Sequence, residues 1–179
     1  MHSVLRVISI LVAAIGAPAT LASSLLIPVD AETAAQKPGA LRACSLLTPA
    51  EIKSILGDRT PRFFDQVPPN EETLSNGGTE CFISTITIQL DAHPVAAFEE
   101  TRKRYMASSR TKFEPISGVG DAAYFYEQDA GKQSHVAGIY TKVGQHVLTV
   151  SMDVITPATA ESIRPGLLAL TKAAATKLR

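Results

Sequence analysis

The chain holds two cysteines, Cys44 and Cys81, and what they can do to its fold depends on the thirty residues that open it. Met1 to Arg6 carries one positive charge, and the 23 residues from Val7 to Val29 carry none. A basic start followed by an apolar run is the pattern of an export signal. Small-x-small sites for its removal follow Ala19, Ala22 and Ala31, and residues 1–31 are assigned as the signal peptide. An uncleaved anchor is the alternative, since about 20 apolar residues can span a bilayer. Gly16, Pro18 and the Thr20, Ser23, Ser24 run count against it. No cysteine stands near the end of the apolar run, so anchoring through a lipidated Cys is not expected. The chain is therefore expected to be periplasmic or secreted.

In an oxidising compartment, a pair of cysteines in a small domain is expected to form one structural disulfide. Closing a loop of that length restricts the unfolded chain by about 3 to 4 kcal/mol in the loop-entropy account. The chemical alternatives, a thiol-disulfide catalyst or half of a zinc site, find no Cys-x-x-Cys and no His near either cysteine in sequence.

Composition excludes several classes. With 17 Lys plus Arg against 17 Asp plus Glu, net charge is zero, and six Phe, four Tyr and no Trp supply no basic-aromatic stripe, so nucleic acid is not an expected partner. An apolar fraction of 45% and a charged fraction of 19% are ordinary globular values. Residues 32–42 are small, polar and aperiodic and read as a flexible leader, leaving residues 43–179 as a single disulfide-linked domain.

Within that domain, Thr48-Pro49-Ala50-Glu51 spells a capping box with Pro at the first helical position, Ile52, Ile55 and Leu56 form one apolar stripe, and Gly57 closes the helix. Prolines 61, 68 and 69 with Asn76-Gly77-Gly78 suggest a short edge strand at Arg62–Gln66 and then a loop. Thr79 to Leu90 alternates as one half-buried strand, with Phe82, Ile86, Ile88 and Leu90 inward, Cys81, Thr85, Thr87 and Gln89 outward, and a flaw at Ile83-Ser84. A second helix is expected from His93 to about Ser109. Its stripe is Val95, Phe98, Tyr105 and Met106, and Glu99–Lys103 and Glu100–Arg104 make its exposed pairs. Phe113 to Val154 reads as an antiparallel meander, with a hairpin turning at Val143-Gly144 and a buried face at Leu148, Val150, Met152 and Val154. A last helix, opened by Thr156-Pro157 and interrupted at Pro165-Gly166, carries Leu167, Leu170, Ala174 and Leu178. The fold class is α+β: an antiparallel sheet packed with about three helices, an α/β sandwich.

Residues able to carry chemistry are sparse. His135 and His146 fall about 20 Å apart along one hairpin, too far to share a metal ion. His93 before Pro94 reads as a helix-start residue. Ser117, Asp121 and His135 are the nearest approach to a hydrolytic trio, without any motif spacing, and Gly118-Val119-Gly120 reads as a turn. No catalytic residue, cofactor or metal ligand is assigned.

Two surface features remain as candidate sites. Arg102, Lys103, Arg104, Arg110 and Lys112 concentrate positive charge on and after the second helix, suited to weak contact with an anionic envelope surface. Tyr124 and Tyr126 share one strand face and are candidates for lining a ligand groove.

Cys44-Ser45-Leu46-Leu47-Thr48, a lone Cys81 opening a strand, and Ile116-Ser117-Gly118-Val119-Gly120-Asp121-Ala122-Ala123-Tyr124 together resemble a family of exported bacterial envelope proteins of unknown function, many of them actinobacterial lipoproteins. The resemblance runs over residues 43 to 178 and implies a Cys44–Cys81 disulfide. It also implies an α/β sandwich similar to that of a photosystem extrinsic subunit and a nuclear import factor. It implies no catalytic residues, and the missing lipobox Cys departs from it. The expected role is a non-catalytic binding or accessory domain of the envelope, acting on an unknown small molecule or envelope protein. A small envelope hydrolase and a partner-protein interaction module are the alternatives.

Overall fold

The structure is a computed structural model, and it describes residues 41–61, 64–92, 94–129, 135–155 and 158–179. Residues 1–40, which hold the expected signal and most of the expected leader, His93, and Thr156-Pro157, expected to open the last helix, lie outside the described residues.

Two cysteines set the start of the domain. Cys44 sits in a single helical turn, α1 (Ala43–Leu46), and is bonded to Cys81 in the second strand with Cα atoms 5.0 Å apart. Helix α2 (Pro49–Leu56) opens with the capping box expected of it: the Glu51 amide donates to Thr48 Oγ1 at 3.2 Å, and the Thr48 amide donates to Glu51 Oε2 at 2.8 Å. Gly57 ends it in the left-handed half of φ space. The stretch expected to hold an edge strand differs. Phe64–Gln66 is a 3₁₀ turn, Arg62 lies outside the described residues, and the edge strand comes later, β1 (Asn70–Thr73). Phe64 is buried, and one tight turn inserts its ring where an edge strand would leave it on the surface.

The run Thr79–Leu90 is a hairpin rather than one strand: β2 (Thr79–Ile83) and β3 (Ile86–Asp91) pair antiparallel with Ile83 opposite Ile86. The flaw in the alternation is the turn itself. Burial follows odd positions before it, Cys81 and Ile83, and even positions after it, Ile86, Ile88 and Leu90, so Cys81 faces the core beside Ile88 and Phe82 the opposite face beside Thr87, the reverse of the single-strand expectation. Ser84 takes φ of 58°, the positive value a tight two-residue hairpin needs.

Helix α3 (Pro94–Ala107) then crosses to the far edge, where β4 (Thr111–Ile116), β5 (Ala122–Asp129), β6 (His135–Val143) and β7 (His146–Asp153) return as a meander. The β6–β7 turn is Gly144-Gln145, one residue later than expected, since Val143 pairs with His146. Among the described residues the strands form one antiparallel sheet in the order β1-β2-β3-β7-β6-β5-β4. Gly120, with φ of 56°, lies at the β5 entry where a Cβ would stand 2.2 Å from the Lys142 carbonyl, so the turn reading of Gly118-Val119-Gly120 has a steric basis.

Helix α4 (Ala160–Thr176) starts from a Thr159 cap and passes through Pro165 without a break. The carbonyl that loses a donor there belongs to exposed Glu161, where water can replace it. Leu167, Leu170, Ala174 and Leu178 are buried as the stripe requires. Helices α1, α2 and α4 cover one face of the sheet, packing on Ile88, Phe125, Ile139, Leu148 and Val150, all fully buried. Among the described residues, α3 is the one helix on the other face. The result is an α+β sandwich.

Candidate functional site

The α3 face of the sheet is divided. Cross-strand neighbours set two rows of side chains across it. One runs Phe113, Tyr126, Gly138, Ser151, Thr87 through β4, β5, β6, β7 and β3; the other runs Pro115, Tyr124, Tyr140, Thr149, Gln89 and on to Glu80 of β2. Aromatic rings crowd both rows over β4 to β6, both rows turn polar over β7 and β3, and at β2 the first ends on half-buried Phe82 and the second on Glu80. Helix α3 lies on the aromatic half: Phe98, 2% exposed, stacks on Tyr140 at 4.9 Å, and Tyr105 stacks on Tyr126 at 5.6 Å. Among the described residues no helix lies on the polar strip. Where α3 ends and the polar half begins, a groove of about 510 Å³ opens, with Thr87, Gln89, Thr149 and Ser151 on its floor and Tyr105 and Arg104 on its helical wall.

The tyrosines at the inner edge of the groove are fixed by packing. Tyr126 is 5% exposed, and its ring lies on Gly138, where a Cβ would stand 2.6 Å from Cζ. That contact lets the phenol lie across β6 towards Ser151, which neighbours Gly138 on the other side. Tyr140 donates to the Ala97 carbonyl of α3 at 3.3 Å. Burial pushes the Tyr126 phenol far up and the Tyr140 phenol up to about 12, and raises Tyr105 as well. All three remain protonated at neutral pH and serve as neutral hydroxyls.

Carboxylates mark the outer rim. Asp91 Oδ1 accepts from Gln89 Nε2 at 2.8 Å and from Asn76 Nδ2 at 3.3 Å. Glu80 is held above the usual carboxylate range, first by burial and then by the charges of Glu72 and Asp91. Asp153 completes the lining. Among the described residues none of these three acids forms an ion pair with a Lys, Arg or His. Arg104 donates to Thr101 Oγ1 at 3.4 Å and lies over the Tyr105 ring.

Of the candidate residues, Tyr126 lines the groove, whereas Tyr124 stacks on Phe113 at 4.6 Å, away from it. The five basic residues are dispersed. Arg102 pairs with Glu99 at 2.9 Å, in place of the expected Glu99–Lys103 contact, and reaches the sulfur of Met106, which is 62% exposed rather than in the helix stripe. Lys103 is exposed, and Arg104 turns to the groove. Arg110 and Lys112 line a separate shallow depression, where Lys112 pairs with Glu114 at 3.1 Å.

That depression also holds a feature the sequence did not single out: His135 Nε2 lies 2.6 Å from Glu127 Oε1. The pair arises because β5 and β6 bring Asp129 opposite His135, leaving Glu127 two residues along the same face. Thr111, which also lines the depression, directs its hydroxyl to Ser108 at 3.3 Å. The paper trio of Ser117, Asp121 and His135 does not assemble. Asp121 Oδ2 accepts the Gly144 amide at 2.7 Å at the opposite end of the strands from His135. Among the described residues no three His, Cys, Asp or Glu side chains gather where they could hold a metal ion, and no helix is long and apolar enough to cross a membrane. No family model matches the chain, and neither a curated protein nor a solved structure is significantly similar to it.

Proposed function

We propose that this chain is an exported, non-catalytic binding domain of the bacterial cell envelope, and that its ligand site is the groove beside α3. The observation that carries the reading is the polar strip of Thr87, Gln89, Thr149 and Ser151 over β3 and β7, which no helix covers among the described residues, set against tyrosines whose positions are fixed by Gly138 and Phe98. A concave site of a few hundred Å³ with a few convergent polar groups is the usual form of a small-molecule site. Export is supported by the basic-then-apolar opening and agrees with a disulfide that a reducing cytosol would not maintain. The resemblance of the Cys44 and Gly118–Tyr124 segments to exported envelope proteins points the same way.

The reading is tested by titrating the labelled protein with a panel of small polar compounds and mapping amide shifts. Shifts centred on Gln89, Thr149 and Ser151 are expected. Responses confined to the depression around Arg110 and His135 would count against it.

The Glu127–His135 contact favours a second reading, a small envelope hydrolase, because a carboxylate can orient a general base. Turnover of an ester or amide that disappears in His135→Ala would establish it and displace the binding reading.

A further inference from the structure

We propose that the groove beside α3 takes a non-acidic carbohydrate: a single sugar ring lying over Thr87, Gln89, Thr149 and Ser151 with its apolar face towards Tyr105. The inference rests on the groove being a binding site, as proposed above, and adds the chemistry of what fills it.

The four floor residues come from two adjacent strands, with Thr87 opposite Ser151 and Gln89 opposite Thr149. Neighbouring strands stand about 4.8 Å apart and alternate residues about 6.8 Å apart along a strand, a grid comparable in width to one hexose ring. Hydroxyl and amide side chains both donate and accept. Sugar hydroxyls also do both, so a ring that carries several of them can match all four groups whichever way each is turned.

An apolar ligand would strip water from the floor and leave its hydroxyl and amide groups unpaired, which weakens binding. An acidic ligand would meet Glu80, Asp91 and Asp153 with only Arg104 to oppose them. The same carboxylates accept hydrogen bonds from hydroxyls, and Asp91 is already oriented by Gln89 and Asn76. Tyr105, half-buried with Tyr126 behind it, offers an aromatic wall for the C–H face of a ring. A volume of about 510 Å³ leaves room for a ring with its substituents and bridging water.

The test is calorimetric and NMR titration of the disulfide-bonded protein with N-acetylglucosamine, glucose and glucuronate. Saturable binding of at least one of the two neutral sugars is expected, with glucuronate weaker by about tenfold or more. Gln89→Leu and Thr149→Val each remove floor hydrogen bonds at outward positions and are expected to weaken binding about tenfold while the thermal midpoint holds. No saturable binding of either neutral sugar up to roughly 50 mM overturns the inference, as does equal affinity in both variants. If the sugars fail while other polar compounds still shift Gln89 and Thr149, only the carbohydrate assignment falls. If nothing shifts them, the binding reading falls with it.

Discussion

Lys177 Nζ donates to both carboxylate oxygens of Glu51, at 2.7 and 2.9 Å across 126 residues of sequence, joining the last turn of the domain to the capping box that starts α2. Glu51 therefore does two jobs, closing the cap on Thr48 and holding the end of α4.

The pairing gives stability a pH dependence of definite sign. The Lys177 hydrogen bond, then those from Thr48, lower the Glu51 carboxyl from 4.5 to about 2. A carboxyl depressed on folding stabilises the fold above its unfolded value, and that contribution is lost as pH falls from about 4.5 through about 2. Glu51→Gln keeps an N3 side chain able to cap but loses the charge. With Glu51 42% exposed, screening leaves about 0.5 kcal/mol or less. Thermal denaturation at low salt should show the variant slightly less stable at pH 7 and indistinguishable by pH 2. A gap that persists unchanged at pH 2 would mean the pair is not its source.

The disulfide works with Glu71 rather than alone. The Cys44 amide donates to Glu71 Oε1 at 3.0 Å, Arg42 pairs with the same carboxylate, and Glu71 stands opposite Cys81 in the β1–β2 register. One edge strand thus fastens both the covalent link and the start of the domain. Opening the link with a reductant, or by a Cys44→Ser, Cys81→Ser double change, should cost about 3 to 4 kcal/mol in chemical denaturation. Amides of β1 and β2 should lose hydrogen-exchange protection before those of β6. Loss of protection spread evenly over the sheet would contradict this account.

At Gly138 the prediction concerns shape. Gly138→Ala places a methyl group 2.6 to 2.7 Å from the Tyr126 ring, which is boxed in by Tyr105 and cannot slide freely. The ring must tilt out of its stack on Tyr105. Overpacking of this kind costs about 1 to 3 kcal/mol. Near-ultraviolet circular dichroism should change, because the tyrosine stack is disturbed, while far-ultraviolet spectra stay the same. An unaltered tyrosine signal would show that the ring has room after all.

What could be read from the residues, and what could not, follows from the range of the forces involved. The α2 cap was legible because Thr48, Pro49 and Glu51 act on each other within four residues. The disulfide was legible because Cys44 and Cys81 have no other partner once the chain is taken as exported. The β2–β3 hairpin was missed because Ser84-Thr85 carries no Gly or Asn; its signature was a change of phase, odd positions buried before the turn and even after it. Met106 and the Glu99–Lys103 pairing failed because α3 rests on the sheet through Phe98 and Tyr105, a narrower contact than the stripe suggested. For the candidate site, Tyr126 and the outward set of Thr87 and Gln89 were visible as alternation. That they share a groove depends on β3 lying beside β7, and β7 beside β6, a pairing of distant segments that local pattern does not encode.

The helix beside the groove makes the last prediction. Helix α3 meets the sheet through one aromatic cluster of Phe98, Tyr126, Tyr140 and Val147, whereas α4 sits in the large core on the opposite face. Phe98 is its deepest anchor at 2% exposure, stacked on Tyr140 and tilted against Tyr124 at 6.0 Å. Truncating a buried Phe to Ala costs about 3 to 5 kcal/mol where the site cannot collapse. Because the loss falls on an element with few other attachments, it should surface as local opening rather than global unfolding. In Phe98→Ala, amides of α3 should exchange much faster while those of α4 keep their protection, and the Tyr140 to Ala97 hydrogen bond should be lost with the wall of the groove. Equal acceleration in α3 and α4 would mean that the two faces unfold as one unit, and that the groove wall has no separate stability to be tuned by a ligand.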